Sequence, residues 1–380
     1  MILPNYTYGS IVNLVNSIMT NYGLKSLYEP LRDFTLPAHK NLVLMVIDGL
    51  GLSFLQQYGK DSCLLHNTKA ELTSVFPSTT AAALTSLMTG VAPLQHGLTG
   101  WFMYFRELAT AGVPLRFMPR FAEMNLSDMD VDINDLLNFE PIFRRITRDM
   151  FLLCPKLTID SPLSNYCYAD KTKYGYEKVE ECFAMIEKQI LKNEKDEMVF
   201  AYIPHFDEVS HLFGINSPEA INMFQHIDNL FDNLVKKTKD TDTLYIITAD
   251  HGMVDTTPET VLNINDFPLI KECLILPLCG EPRVPYCYVR LTKYEQFLAE
   301  VDKKLGKYCH RFSLSDAMNM NLYGIGDINP KFFDRVGDEI LVMNGNYVLI
   351  DKVYKETYKK FIGFHGGLTR DEMMVPLILC

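Results

Sequence analysis

Six residues of the chain carry metal-ligand chemistry at positions that apolar segments would deliver to one place: Asp48, Asp207, His211, Asp250, His251 and His365. Three carboxylates and three imidazoles make a hard-to-borderline donor set, suited to zinc or manganese and too rich in nitrogen for calcium. Without a cation, three aspartates crowded at strand ends repel one another and are driven toward protonation. A second chemistry is offered by "VFPSTTAAALTSLMTGVAPLQHG", Val75 to Gly97, where Ser78, Thr79 and Thr80 follow Pro77 and precede an apolar run. Ser and Thr compete with the backbone for hydrogen bonds and favour helix starts, so this stretch predicts a turn entering a helix over 81–89 that Gly90 closes. A hydroxyl there either caps the helix or serves as a nucleophile, and the cluster alone leaves both open.

The elements that must position these residues are written in the hydrophobic pattern. "NLVLMVIDGLG", residues 41–51, is apolar until Asp48-Gly49, the pattern of a buried parallel strand with an acidic residue at its end. "EMVFAYIPHFD" (197–207) and "DTLYIITADHG" (242–252) repeat it, each read as an apolar strand that delivers an aspartate. Between them Ser217 is a predicted N-cap, Pro218 the first helical residue, and Ile221, Phe224, Ile227, Phe231 and Leu234 recur at helical spacing. Strand, helix, strand is a parallel crossover, and ligands of open α/β sheets gather beyond the carboxyl ends of the strands. Asp48, Asp207 and Asp250 therefore point at one shared site. Taken singly, Asp48-Gly49 also fits a turn, Asp250-His251-Gly252 a strand cap, and Asp207 with His211 a surface pair one helical turn apart. His365 in "GFHGG" lies between glycines, where the backbone is free to approach a ligand. His39, His66, His226 and His310 lack neighbouring ligand types, whereas His96 and His205 are candidates for supporting groups.

With 380 residues, 48% of them apolar, the chain can bury a large core, and the length suits one large or two fused domains. A net charge of −11 argues against binding a nucleic-acid polymer or an anionic membrane, so a small anionic substrate would need a local cationic site. Nine cysteines without CxxC spacing read as reduced thiols, which favours a cytoplasmic protein. The N-terminus has no basic region before Ile11, Val12, Val15, Ile18 and Met19, a pattern that predicts an amphipathic helix rather than a signal peptide. No run approaches the roughly twenty apolar residues of a membrane span. Residues 101–160, rich in Met, Phe and Arg with weak periodicity, read as a lid-like insertion. Residues 255–360, with "VPYCYVRL" and "GDEILVMNGNYVLI", read as a smaller α+β subdomain. Both belong to a single catalytic domain spanning 1–380, since no repeat or Gly/Ser linker separates them.

The order Asp48, Thr80, Asp207-x-x-x-His211, Asp250-His251-Gly252 and Gly363-Phe364-His365-Gly366 resembles the alkaline phosphatase superfamily. Within it the likeness is to the nucleotide pyrophosphatase/phosphodiesterase family. The matches run from about residue 41 to 366, and they imply an α/β three-layer sandwich with a mostly parallel central sheet. The family's nucleophile motif is similar to Phe76-Pro77-Ser78-x-Thr80, and in that register the nucleophile is Thr80. The resemblance also implies two divalent ions, zinc foremost and manganese as the alternative. One would be held by Asp207, His211 and His365, the other by Asp48, Asp250, His251 and the Thr80 oxygen. The activity so implied is hydrolysis of a phosphodiester or pyrophosphate bond, in a small nucleotide as the leading case, through a covalent phosphothreonine. Metal at Thr80 would lower its hydroxyl pKa, and a helix N-terminus there would stabilise alkoxide and phosphoryl oxygen.

One position departs from the family. Diesterases carry an asparagine after the His-Gly pair to hold a phosphoryl oxygen, and here Trp101 stands in that place. Its indole offers one N–H or a stacking face, and with Phe102 and Tyr104 it suits a nucleobase. The alternative is a phosphomonoesterase or phosphonate hydrolase on the same metal core, with Arg106, Arg116 or Arg120 gripping the additional charge. The Cys/Ser-x-Pro-x-Arg signature of sulfatases is absent. A binding protein without turnover would lack a ligand or the nucleophile, and none is missing.

Overall fold

Leu42 to Ile47 are apolar and fully buried, as a strand covered on both faces requires. In a computed structural model, which describes residues 1–192, 196–353 and 360–380, this strand, Asn41–Ile47, lies at the middle of a seven-stranded sheet. The order is Thr68–Thr73, Met374–Leu379, Thr243–Thr248, Asn41–Ile47, Glu197–Ile203, Asp149–Pro155, Lys173–Tyr176. Asn41–Ile47 pairs in parallel with both neighbours, Leu42 lying beside Met198 on one side and Leu244 on the other. Parallel pairing continues through Asp149–Pro155 to Lys173–Tyr176, and Met374–Leu379 runs antiparallel to its neighbours. This is the mostly parallel α/β sheet expected.

Two groups of helices sandwich it. Ile11–Asn21, Ile142–Arg145 and Pro162–Tyr168 pack on Thr80–Thr89, while Cys63–His66, Val179–Lys192 and His205–Phe213 pack on Pro218–Lys237. Ser217 caps the long Pro218–Lys237 helix by accepting the Ala220 amide, and Phe224, Ile227, Phe231 and Leu234 are its buried face. The N-terminal helix Ile11–Asn21 forms as expected, with the polar Asn13, Asn16 and Ser17 buried as well as its apolar face. The amide nitrogens of its asparagines are paired: Asn13 Nδ2 donates to the Tyr6 and Glu29 carbonyls, and Asn16 Nδ2 to those of Val12 and Gly90.

Within 101–160 the chain forms a three-stranded sheet of Met103–Phe105, Thr110–Val113 and Met118–Pro119, then short helices, then Asp149–Pro155, a strand of the central sheet. The chain thus rejoins the core before residue 160. Within 255–360 lies a four-stranded antiparallel sheet ordered Cys279–Glu281, Val284–Cys287, Glu339–Met343, Cys309–Ser313; residues 354–359 lie outside the described residues. Alternate residues of Glu339–Met343 serve opposite faces. Leu341 and Met343 pack under the helices Pro268–Cys273 and Tyr294–Lys304. Ile340 and Val342 join a cluster with Phe76 and Leu368, so the smaller sheet is fastened to the chain on either side of Thr80 and His365. Buried Arg283 reinforces this, donating to both Glu372 oxygens at 2.8 Å while Glu372 accepts the Gly367 amide at 2.7 Å. All nine cysteines are free thiols, and no helix among the described residues is long and apolar enough to cross a membrane.

Candidate metal centre and nucleophile

Neighbouring strands end together, and their ends carry the aspartates. Asp48 directly follows Asn41–Ile47, its amide bonded to the Ile203 carbonyl at 2.9 Å, and Asp250 follows Thr243–Thr248 at the other side. Asp207 arrives differently from the strand end expected. The strand Glu197–Ile203 stops before Pro204, which cannot donate to a ladder, and Asp207 lies in the first turn of the helix His205–Phe213. One turn later His211 puts Nε2 3.3 Å from Asp207 Oδ2. Gly49 is required here: its φ is +75°, and a Cβ would stand 3.1 Å from the Asp207 Cβ.

Each histidine of the cluster commits Nδ1 to a backbone carbonyl. His211 donates to Gly363 at 2.8 Å, His251 to Gly252 at 3.1 Å and His365 to Ser78 at 3.2 Å. Carbonyls only accept, so in the neutral imidazoles Nδ1 holds the proton and Nε2 presents a lone pair. Those lone pairs meet carboxylate oxygens. His251 Nε2 is 3.4 Å from Asp48 Oδ1 and 3.4 Å from Asp250 Oδ2, and His365 Nε2 is 3.9 Å from Asp207 Oδ1. Asp48 Oδ1, Asp207 Oδ1 and Asp250 Oδ2 are buried and accept no hydrogen bond among the described residues. Their orientation is fixed from behind: Asp48 Oδ2 accepts the Tyr202 hydroxyl, and Asp250 Oδ1 accepts the amides of Gly49 at 3.1 Å and His251 at 3.0 Å.

The electrostatics agree. Burial, and then the charges of Asp250 and Asp207, hold the Asp48 carboxyl well above its ordinary range. Burial also raises Asp207, against the pull of His211 and His251. Burial and the neighbouring His251 and His211 push His365 well below the usual imidazole value. These are the shifts of a converging donor set without its positive charge. Ligand atoms of Asp207, His251 and His365 lie within 4.8 Å of one another, as do those of Asp48, Asp250 and His251. His251 thus belongs to both groups, its ring stacked on His365 at 3.8 Å, and His211 joins through Asp207.

The hydroxyls separate cleanly. The helix is Thr80–Thr89, one residue earlier than expected, closed by Gly90 in the left-handed conformation. Ser78 donates to the Gly367 carbonyl at 2.8 Å, and Thr79 donates to Glu281 Oε1 at 2.6 Å. Thr80 Oγ1 alone reaches the ligand cluster, 3.2 Å from His251 Nε2.

Trp101 lies beside this turn: its amide donates to the same Glu281 Oε1 at 2.7 Å, and the Arg116 guanidinium stands 5.3 Å above its ring. Phe102 and Tyr104 are not brought to the cluster. Phe102 packs under Arg120 at 3.7 Å and Tyr104 against Tyr288 at 5.5 Å, both on the second hydrophobic cluster. Of the three arginines, Arg106 pairs with Asp334 and Arg120 holds the Leu278 and Asp351 carbonyls. Arg116 is exposed, with no ion pair among the described residues. His96 is a core residue rather than a supporting group. Its Nδ1 accepts the Leu98 amide, its Nε2 donates to Ser86, and burial pushes its pKa down to about 3. His205 stacks on Tyr176 instead.

Two polar groups escaped sequence reasoning. Tyr202 had a signal, since strand register sets it beside Val46, two residues from Asp48. Glu281 had none, because the smaller sheet supplies it from far along the chain. Burial raises its carboxyl to about 8, against the hydrogen bonds from Thr79 and Trp101.

Residues 42–368 match the family described as type I phosphodiesterase / nucleotide pyrophosphatase. An uncharacterized pyrophosphatase/phosphodiesterase of Schizosaccharomyces pombe is 24% identical over 276 residues, covering 68% of this chain and 51% of that protein. The chain therefore spans about half the length of that curated relative. Among solved structures, murine ectonucleotide pyrophosphatase/phosphodiesterase 5 superposes with a TM-score of 0.67 at 17% identity, covering 88% of this chain and 87% of the other. Its inactive threonine-to-alanine variant in complex with AMP gives 0.65 at 18%, with the same coverage. Phosphonoacetate hydrolase from Sinorhizobium meliloti in complex with phosphonoformate gives 0.64 at 17%, covering 92% of each chain. At these identities the likeness is one of fold.

Proposed function

The chain belongs to the type I phosphodiesterase / nucleotide pyrophosphatase family, and from that premise we propose that it is a hydrolase of phosphoric esters that cleaves a phosphodiester or pyrophosphate bond of a small nucleotide with Thr80 as nucleophile. The observation that carries this is the meeting of lone pairs. The Nε2 lone pairs of His251 and His365 and the orphaned oxygens of Asp48, Asp207 and Asp250 form two groups of metal-ligand spacing, with His211 Nε2 beside Asp207, a set that fits two divalent ions, zinc foremost. Asp207, His211 and His365 would hold one, and Asp48, Asp250 and His251 the other together with Thr80. When bound, such ions lower the pKa of a hydroxyl and stabilise charge on the attacking and leaving oxygens.

The chain's own residues do the rest. Thr80 presents Oγ1 from the first position of a ten-residue helix. There the dipole favours an anion, and the amides of Thr80 and Ala81, which have no partner among the described residues, are placed to donate to a phosphoryl oxygen. Oγ1 loses its proton and attacks phosphorus, the bond to the leaving oxygen breaks, and that oxygen takes up a proton. The phosphoryl group, with any ester substituent it keeps, stays on Thr80 until water attacks phosphorus and restores the hydroxyl. The AMP bound to the inactive threonine-to-alanine variant of the murine relative supports both the nucleotide and the threonine. The nine free thiols support a reducing, cytoplasmic setting.

Arg116 favours a second reading. Its unpaired guanidinium over Trp101, at the family's asparagine position, suits the extra negative charge of a monoester or phosphonate, and a phosphonate hydrolase is among the structural relatives. Turnover of bis-p-nitrophenyl phosphate against p-nitrophenyl phosphate by metal-loaded protein separates the two. Faster hydrolysis of the diester is expected, and preference for the monoester would replace the first reading by the second.

Trp101 gives the nucleotide part its own test. Stacking on a base is worth roughly 1–3 kcal/mol by alanine substitution in single-strand binders. Trp101→Ala is therefore expected to lower kcat/KM for a nucleotide ester by about tenfold or more, at 1.36 kcal/mol per factor of ten. Small p-nitrophenyl esters, with no base to stack, should lose much less. Equal losses on both would assign Trp101 to the phosphoryl group or to packing.

A further inference from the structure

Thr79 occupies the N-cap position with the extended backbone a cap requires, yet its side chain makes no capping hydrogen bond. An N-cap threonine ordinarily accepts the amide two or three residues on, here Ala81 or Ala82. Instead the Thr79 hydroxyl donates to Glu281 Oε1 at 2.6 Å, and the Thr79 backbone carbonyl takes the amides of Ala82 at 3.1 Å and Ala83 at 2.8 Å. The amide of Ala81 is thereby left uncapped, next to that of Thr80, which a cap of this kind does not reach. The same Glu281 oxygen accepts the Trp101 amide.

Glu281 is a costly residue to keep in this place. It is 6% exposed, ends an edge strand of the smaller sheet, and has no cation within ion-pair distance among the described residues. A buried carboxyl without a cation opposes folding, and an ordinary threonine cap calls for no such partner. The backbone also makes room for it: Gly366, next to His365, has φ +122°, and a Cβ there would stand 3.0 Å from the Glu281 Cβ and Cγ.

Resting on the placement of Thr80 at the reacting phosphoryl group, we propose that Glu281 is a positioning residue: it withholds the Thr79 hydroxyl from the helix cap, keeps the Ala81 amide free to join that of Thr80 at the phosphoryl oxygens, and anchors the Trp101 backbone to the same point. It acts through Thr79 and touches no reacting atom.

The test is a double-mutant cycle on the metal-loaded enzyme with bis-p-nitrophenyl phosphate, which has no base to involve the Trp101 ring. Glu281→Ala frees the Thr79 hydroxyl to fold back onto the helix, and kcat is expected to fall on the order of a hundredfold, as loss of one oxyanion donor does, with KM changing far less. Glu281→Gln keeps an acceptor oxygen and should restore most of kcat. Thr79→Val costs little alone and, added to Glu281→Ala, should recover much of the loss, because no hydroxyl remains to refill the cap. Wild-type turnover by Glu281→Ala, or equal damage in Glu281→Ala and the double variant, would overturn the proposal. Should Glu281→Ala not fold, Glu281→Met, similar in size but without an acceptor, takes its place with the same expectations. An active Thr80→Ala variant measured alongside would instead overturn the placement of the nucleophile, so the two failures are distinct.

Discussion

Thr80→Ala abolishes turnover, by a factor on the order of 10⁴ or more as nucleophile deletions do in covalent hydrolases, while the protein stays folded. The loss is expected because Thr80 Oγ1 is the one hydroxyl of the turn that reaches the ligand cluster. The fold survives because that side chain hydrogen-bonds only His251 among the described residues and is replaced by a better helix former. Thermal unfolding and metal content of the variant should stay close to wild type. Ser78→Ala should behave in the opposite way. It breaks a buried hydrogen bond to the Gly367 carbonyl, costing about 1 kcal/mol of stability with little loss of rate. A dead Ser78→Ala or Thr79→Ala beside an active Thr80→Ala would move the nucleophile to that residue.

Asp250→Asn divides activity from stability. An asparagine keeps Oδ1 to accept the Gly49 and His251 amides but replaces the orphaned Oδ2 by an amide that cannot ligate. Changes to residues that merely orient metal ligands cost about 10–100-fold, so removal of a ligand oxygen should cost more than about a hundredfold in metal affinity or rate. The metal-free variant should nevertheless be at least as stable as metal-free wild type, because the Asp250 charge is one of the causes that strain the Asp48 carboxyl. Elemental analysis, turnover with added zinc, and thermal unfolding after chelation measure the three quantities. Full activity with full metal content would remove Asp250 from the site. Loss of activity accompanied by a lower melting temperature of the metal-free protein would make it a structural residue.

The convergence of Asp48, Asp207 and Asp250 was legible because each aspartate interrupts an apolar pattern that a buried strand or its following turn must end. Asp48 and Asp250 stand where residues buried on both faces give way to polar ones, and strand neighbours then bring them together. Asp207 was placed at the right edge but on the wrong element, since the run through "FAYIPHFD" does not reveal that Pro204 ends the ladder and starts a helix. Proximity in sequence to Trp101 says nothing of which face Phe102 and Tyr104 take. The hairpin that follows turns them onto the second core, against Arg120 and Tyr288. The strand Asp149–Pro155 hid within the expected insertion, its apolar run short and flanked by polar residues, with only Leu152, Leu153 and Cys154 fully buried. Glu281 was invisible for a different reason: its hydrogen bonds from Thr79 and Trp101 exist only where a second sheet docks against the turn before Thr80, a contact with no local pattern.

A covalent Thr80 intermediate means two displacements at phosphorus, each with inversion, whereas direct attack by water means one. The deciding measurement is the stereochemical course of hydrolysis of a nucleotide phosphorothioate diester of single configuration in heavy-oxygen water. Net retention is predicted from Thr80 attack followed by water. Net inversion would show that water attacks the substrate directly and that Thr80 is not the nucleophile.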